Sequence, residues 1–392
     1  MKETLRWFGP DDNISLENIS QSGASGVVSA LDHIKTGDVW TLEEILKRKK
    51  IIESSGLEWS VIESIPVHND IKTWSGDYYK YVNNYKKSIE NVGKAGLKLV
   101  CYNFMAVVDW TRTNLRYKLS NKSLALRFDM ADFALYDIFI LNRKNAKNDY
   151  TDKVFNSAER NFKIFSKDEI NILEKNIIAG LPGGEGSYSR KQILNEIENF
   201  SMIGTEGYRK NLFKFLKEII PIAERSQVKM CIHPDDPPFP LFGLPRVVSS
   251  ADDARKLLNA YPSIYNGLTM CVGSYGAGFQ NDTPKLVKEF KSHIHFAHLR
   301  NIIKEPDGSF YESDHLDGDN DMHAIAKQLL NEEKYRQEYG DKSIIPMRPD
   351  HGHLIGNEIN EDNVNPGYSF VGRLRGLSEL RGLIFGIEKS DN

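Results

Sequence analysis

Eight short apolar runs, each closing on polar or ionisable residues, restrict this chain more than any other feature. They fall at residues 5–9, 27–31, 60–65, 97–103, 229–234, 268–273, 294–300 and 345–353. Runs of this length, apolar without strict alternation, read as strands buried on both faces. Helical patterns lie between them. Thr41 caps an amphipathic stretch that begins Leu42-Glu43-Glu44-Ile45, residues 78–92 read as a helix stopped by Gly93, and Leu374, Leu377 and Leu380 mark a last helix over 372–383. Strands alternating with helices imply parallel βαβ units with right-handed crossovers. Eight such units close on themselves, so the expected fold class is α/β, a (β/α)8 or TIM barrel.

A chain of 392 residues with 40% hydrophobic content can bury such a core as one domain, residues 1–392. The formal net charge is −3 and no polybasic block is present, which speaks against a nucleic-acid or anionic-membrane surface and favours a small soluble substrate. Behind the first charged residues there is no apolar signal segment, and nowhere does an uncharged apolar run reach bilayer length. A cytoplasmic protein, assembling with copies of itself, is expected. Cys101, Cys231 and Cys271 all sit in strand-like runs, and an odd count argues against a disulfide framework. Their thiols are expected to be reduced.

One connection breaks the rhythm. Residues 104–227 are far more than one crossover after the fourth strand requires, and they predict an inserted, mostly helical subdomain. Helices are expected at 114–139 and 167–174, with a polar exposed segment at 142–152. The cluster Leu181-Pro182-Gly183-Gly184-Glu185-Gly186 lacks the spacing and the Lys-Ser/Thr ending of a phosphate loop, and is expected to hinge a lid instead.

In a (β/α)8 barrel the chemistry sits at the carboxyl ends of the strands. Strands five to eight end near His233, Cys271, His298 and Asp350, which can approach one point and hold a divalent ion. An imidazole, thiolate and carboxylate set suits Fe2+, Mn2+, Co2+ or Zn2+ rather than Mg2+ or Ca2+. A lone buried cysteine is usually a small hydrophobe, and Cys101 and Cys231 read that way; Cys271 differs by facing three other ligand types. His298 is preferred over His293 and His295 because it lies nearest the strand end, although His295 remains an alternative. His351, beside Asp350, is placed for proton transfer, whereas His353 reads as a solvated loop residue. Tyr368, in the turn Asn365-Pro366-Gly367-Tyr368, can face the barrel mouth as a proton donor. Arg6, Arg300 and Arg348 are candidates to hold a substrate carboxylate, structural ion pairs being the competing reading, and Asn103 and Asn301, at the ends of the fourth and seventh strands, are further substrate-binding candidates.

At these motifs the chain resembles the mannonate dehydratase family, within the xylose-isomerase-like barrels. The likeness runs through Arg6-Trp7-Phe8-Gly9-Pro10, Glu63-Ser64-Ile65-Pro66-Val67-His68, Tyr102-Asn103-Phe104-Met105, Cys231-Ile232-His233-Pro234-Asp235-Asp236, His298-Leu299-Arg300-Asn301, Arg348-Pro349-Asp350-His351-Gly352 and Asn365-Pro366-Gly367-Tyr368-Ser369. Ala106, where proline is expected, is a departure that touches no chemistry. The resemblance implies metal ligation by His233, Cys271, His298 and Asp350 and catalysis by His351 and Tyr368. It also implies elimination of water from the sugar acid D-mannonate to give 2-keto-3-deoxy-D-gluconate in hexuronate breakdown. Thiolate ligation points to Fe2+ or Mn2+ as cofactor. A metal-dependent sugar isomerase or epimerase on the same barrel is the nearest rival, and a non-catalytic structural zinc protein a more distant one; an abasic-site endonuclease would want a basic face.

Overall fold

The computed structural model describes residues 1–178 and 189–390. Its strands, in chain order, are β1 (Lys2–Arg6), β2 (Gly26–Ser29), β3 (Glu58–Glu63), β4 (Leu99–Tyr102), β5 (Asn114–Lys118), β6 (Leu124–Phe128), β7 (Lys229–Ile232), β8 (Asn266–Cys271), β9 (Ile294–His298), β10 (Ile302–Lys304), β11 (Phe310–Glu312) and β12 (Pro346–Arg348). Eight of them close a parallel barrel in the order β1-β12-β9-β8-β7-β4-β3-β2, each at one of the apolar runs. The chain is thus a TIM barrel. The first strand begins and ends about three residues earlier than the apolar pattern suggests, which leaves Trp7, Phe8 and Gly9 in the loop above it.

Burial on both faces explains the apolar runs. Val28, Val61, Leu99, Cys101, Cys231 and Phe296 form one buried cluster inside the barrel, whereas Val27, Ile62, Val100 and Ile232 belong to the larger core between strands and helices. That outer layer includes the helix Tyr78–Lys94 and the 23-residue helix Gly204–Ser226, which meet edge to face through Tyr85 and Phe215 at 5.0 Å. The helix Gly204–Ser226 leads directly into β7, so it serves as the crossover that the fourth βα unit needs.

Between β4 and β7 the described chain is not all helix. The expected helix at 114–139 is corrected over its first half: β5 and β6 form an antiparallel hairpin, which joins β11 and β10 in a second sheet ordered β10-β11-β6-β5. Asn114-Leu115-Arg116-Tyr117-Lys118 alternates exposed and half-buried residues, and Lys122 turns the chain at φ +71°. A period of two therefore prevails over a helical one. Helix begins only at Met130–Leu135, where the Asp129 side chain accepts from the backbone of Ala131 and Asp132. Further helices follow at Asp152–Ile164, Lys167–Ile178 and Arg190–Ser201. The glycine cluster assigned to a lid lies outside the described residues. The final helix, Phe370–Ser390, is longer than the leucine pattern alone suggests. No helix among the described residues is long and apolar enough to cross a membrane.

Candidate active site

His233, Cys271 and His298 are brought together by β7, β8 and β9, with one donor atom of each lying within 4.8 Å of the others. Asp350 stands beside them: its carboxylate is 3.8 Å from Cys271 Sγ and 3.8 Å from His298 Nδ1. Asp350 adopts φ +67°, a left-handed conformation that aspartate tolerates better than most residues, just beyond the end of β12. Each donor is prepared for an electropositive partner. His233 Nδ1 donates to the Pro234 carbonyl at 2.7 Å, which leaves the Nε2 lone pair available, and burial lowers the pKa of this imidazole. Both ring nitrogens of His298 are buried without a hydrogen bond among the described residues, a state that costs free energy unless something else coordinates them. The Ser274 hydroxyl, 3.0 Å from Cys271 Sγ, can donate to a thiolate. The donor set thus fits one divalent transition metal.

Asp350 is the hub of a buried ionic network. Arg348 Nη1 lies 2.6 Å from Oδ1 and Arg300 Nε donates to Oδ2 at 2.7 Å. Burial alone would raise the Asp350 carboxyl, but Arg348, His351, His298 and Arg300 hold it well below the usual carboxylate range. Arg348 also reaches Glu63 Oε2 at 3.0 Å, and Glu63 Oε1 lies 3.2 Å from His298 Nε2. On the other side Arg300 pairs with Asp236, which Arg112 grips with two nitrogens at 2.8 and 3.2 Å. Arg112 and Arg300 both approach Glu312 as well, at 3.2 and 3.4 Å.

His351 and Tyr368 face each other at a ring separation of 5.2 Å and a near-perpendicular angle. A short backbone bridge sets this pair: Gly352 N donates to Gly367 O at 2.8 Å, joining the loop after β12 to the turn that carries Tyr368. The glycine between the two histidines is required by close packing, because a Cβ at Gly352 would meet the backbone of Gly372 and Arg373 at 2.3 Å. Burial raises the Tyr368 phenol to about 12, Arg348 and Arg6 pulling the other way, so it stays protonated at neutral pH. His353, expected in solvent, is instead buried, and its Nε2 donates to the Glu312 carbonyl oxygen at 2.9 Å.

A cleft of about 800 Å3, its open mouth included, lies over these groups. Of the residues assigned to substrate, Arg6, Asn103 and Arg348 line it, together with His233, Asp350, His351 and Tyr368. Arg300 and Asn301 are placed elsewhere. The Arg300 side chain is 2% exposed and spends its nitrogens on Asp350, Asp236 and Ser274. Asn301 is fully buried, donating to the carbonyls of His315 and Asn320 and accepting from the backbone of Ile302 and Asn320. Arg300 thus braces the site from behind, and Asn301 ties together the backbone next to it. His295 lines a separate hollow at the opposite end of the barrel and bonds the Ile264 carbonyl, which removes it from the ligand set. Cys101 and Cys231 pack in the barrel interior.

Glu63, Asp236, Glu312 and Arg112 are the site residues that sequence reasoning missed. Glu63 closes β3 as Asp350 follows β12, so the same strand-end logic would have found it. Arg112 is fully buried with two carboxylates, and removing one member of such a cluster leaves charge uncompensated. Arg112→Met is therefore expected to destabilise the fold by about 3–5 kcal/mol. Urea unfolding checks this; a loss of less than about 1 kcal/mol, the scale of exposed pairs, would place Arg112 among dispensable surface-like pairings.

Known proteins resemble this chain along nearly their whole length. The family model of D-mannonate dehydratase (UxuA) matches residues 1–392. A mannonate dehydratase of Saccharophagus degradans is 62% identical over 389 residues, 99% of this chain and 98% of that protein. Mannonate dehydratase 2 of Agrobacterium fabrum is 53% identical over the same shares of the two chains. The crystal structure of mannonate dehydratase from Streptococcus suis serotype 2 matches with a TM-score of 0.78 at 34% identity, over 100% of this chain and 94% of that one. A xylose isomerase domain protein from Planctomyces limnophilus has only the fold in common, with a TM-score of 0.51 at 10% identity over 99% and 96% of the two chains. With a match to every residue and relatives more than half identical along nearly their full length, the chain belongs to the D-mannonate dehydratase family and is a hydro-lyase.

Proposed function

We propose that the protein eliminates water from D-mannonate to give 2-keto-3-deoxy-D-gluconate, as a step in hexuronate breakdown, using one Fe2+ or Mn2+ ion held by His233, Cys271, His298 and Asp350. The observation that carries this reading is the convergence of those four donors with His351 and Tyr368 on one cleft. The proton on C2, alpha to a carboxylate, is weakly acidic, so its removal needs stabilisation of the negative charge that develops on the substrate oxygens. A bound divalent ion would supply that positive charge.

The chain supplies the rest. His351 takes the C2 proton through the nitrogen not bonded to Glu312. Tyr368, protonated at working pH, gives its proton to the departing C3 hydroxyl, and the enol that remains becomes the keto acid. Arg6, Arg348 and Asn103 line the cleft where a carboxylate and a row of hydroxyls must be oriented. Buried ion pairs on Arg348 keep its guanidinium fixed rather than free to follow the substrate. The enzyme is expected to act as a homo-oligomer in the cytoplasm.

The test is anaerobic reconstitution with Fe2+, Mn2+, Zn2+ or Mg2+, followed by an assay for keto-acid formation from a panel of hexonates. D-Mannonate should be turned over best, with Fe2+ or Mn2+ present. Interconversion of ketoses without keto-acid formation would favour the isomerase reading, and full activity with Mg2+ alone would overturn the metal assignment.

A further inference from the structure

We infer that Glu312 is the positioning residue for His351: its carboxylate fixes the hydrogen on Nδ1 and turns Nε2 toward the substrate. The inference rests on the proposed role of His351 and adds to it a residue from outside the barrel. Glu312 closes β11 of the second sheet, and its Oε1 lies 2.7 Å from His351 Nδ1. The opposite ring nitrogen is 3.9 Å from Asp350 Oδ1, and both His351 and Asp350 line the cleft. Glu312 itself does not line that cleft. It faces a smaller hollow behind His351, so it acts on the reaction through the groups it touches rather than by touching substrate.

Three features show that the contact is built rather than incidental. Arg112 and Arg300 hold the carboxylate from either side, at 3.2 and 3.4 Å, which keeps it from swinging to another partner. Burial would raise the carboxyl, yet His351, Arg300 and Arg112 hold it down at about 2, so it is an ionised acceptor and His351 Nδ1 must be the donor. The ring is packed as well as hydrogen-bonded: Trp110 meets it edge-on at 5.9 Å and Tyr368 at 5.2 Å. A neutral imidazole with hydrogen on Nδ1 has its lone pair on Nε2, the tautomer a base at the cleft requires. The hairpin inserted after β4 and the one after β9 thereby acquire a catalytic purpose, since only their shared sheet brings Glu312 under the ring.

The competing reading is that Glu312 merely neutralises Arg112 and Arg300. The two readings separate in a double-mutant cycle on the metal-loaded enzyme. Glu312→Gln should lower kcat by about 10- to 100-fold, the scale on which removing an orienting partner tells, with KM and metal content within about threefold of wild type. In the His351→Asn background the same change should cost less than about twofold, because its effect passes through the ring that is no longer there. Equal losses in both backgrounds, or kcat within about threefold of wild type in the single variant, would overturn the proposal. Should Glu312→Gln fail to fold, wild-type protein carrying 15N-histidine decides: the nitrogen shifts of neutral His351 should report hydrogen on Nδ1, and hydrogen on Nε2 would overturn it. That measurement needs no substrate. A wild-type enzyme inactive on D-mannonate would defeat the proposed reaction while leaving the tautomer result intact.

Discussion

His351→Asn is expected to lower turnover by about 10²- to 10⁴-fold, the usual contribution of a general base, and to abolish exchange of the C2 proton with deuterated solvent. Asparagine is close in size to the imidazole and can still bond Glu312, but it offers no basic nitrogen to the cleft. Tyr368→Phe is expected to block elimination by a similar factor while leaving C2 exchange detectable, if the deprotonated substrate lives long enough to return. This division follows from the two groups. A phenol raised to about 12 is a proton donor at neutral pH, whereas an imidazole whose Nδ1 is committed to a carboxylate has a free lone pair on Nε2. Exchange that survives in the His351 variant and vanishes in the Tyr368 variant would reverse the roles. Turnover within about tenfold of wild type in both variants would make both residues bystanders.

The barrel was legible because each of its strands is buried twice, against the interior and against the helices, and so reads as a nearly continuous apolar run. The second sheet was hidden for the opposite reason. Its strands are three to five residues long and partly exposed, and two of them occupy the connection after β9. A signal was present there: Pro306-Asp307-Gly308 separates the strand-like residues of β10 and β11, and such a turn between short alternating runs marks a hairpin. Finding it would have placed Glu312 near the barrel mouth.

Charged residues taught a different lesson. Arg6, Arg300 and Arg348 look alike in sequence, each at or beside a strand end, yet only Arg6 and Arg348 line the cleft. Arg300 turns behind the site because Asp350, Asp236 and Glu312 converge on it, and those three come from separate segments of the chain. Gly273 leaves the space it occupies: a Cβ there would stand 2.4 Å from Arg300 Nη1. Which way a side chain points from a strand end depends on such distant partners, so residue type and position alone could name the three arginines but not sort them.

Cys271→Ser should leave the protein folded and strip it of metal. The thiol sits at the last residue of β8, fully buried, with the Ser274 hydroxyl at 3.0 Å and the Asp350 carboxylate at 3.8 Å. A serine oxygen fits the same space, so the barrel loses almost no packing. It differs in chemistry: a thiol is readily deprotonated by a metal, whereas an alcohol remains a neutral, harder and weaker donor. Affinity for Fe2+ or Mn2+ should therefore fall by more than the roughly 10- to 100-fold typical when only a ligand's supporting partner is removed. Metal per chain after anaerobic loading and desalting, measured beside the unfolding curve, gives the result directly. Stoichiometric metal with near-normal turnover in this variant would make Cys271 a core thiol, and the vacated place in the ligand set would pass to Glu63, whose Oε1 lies 3.2 Å from His298 Nε2. A Glu63→Gln variant would then have to lose the metal that Cys271→Ser kept.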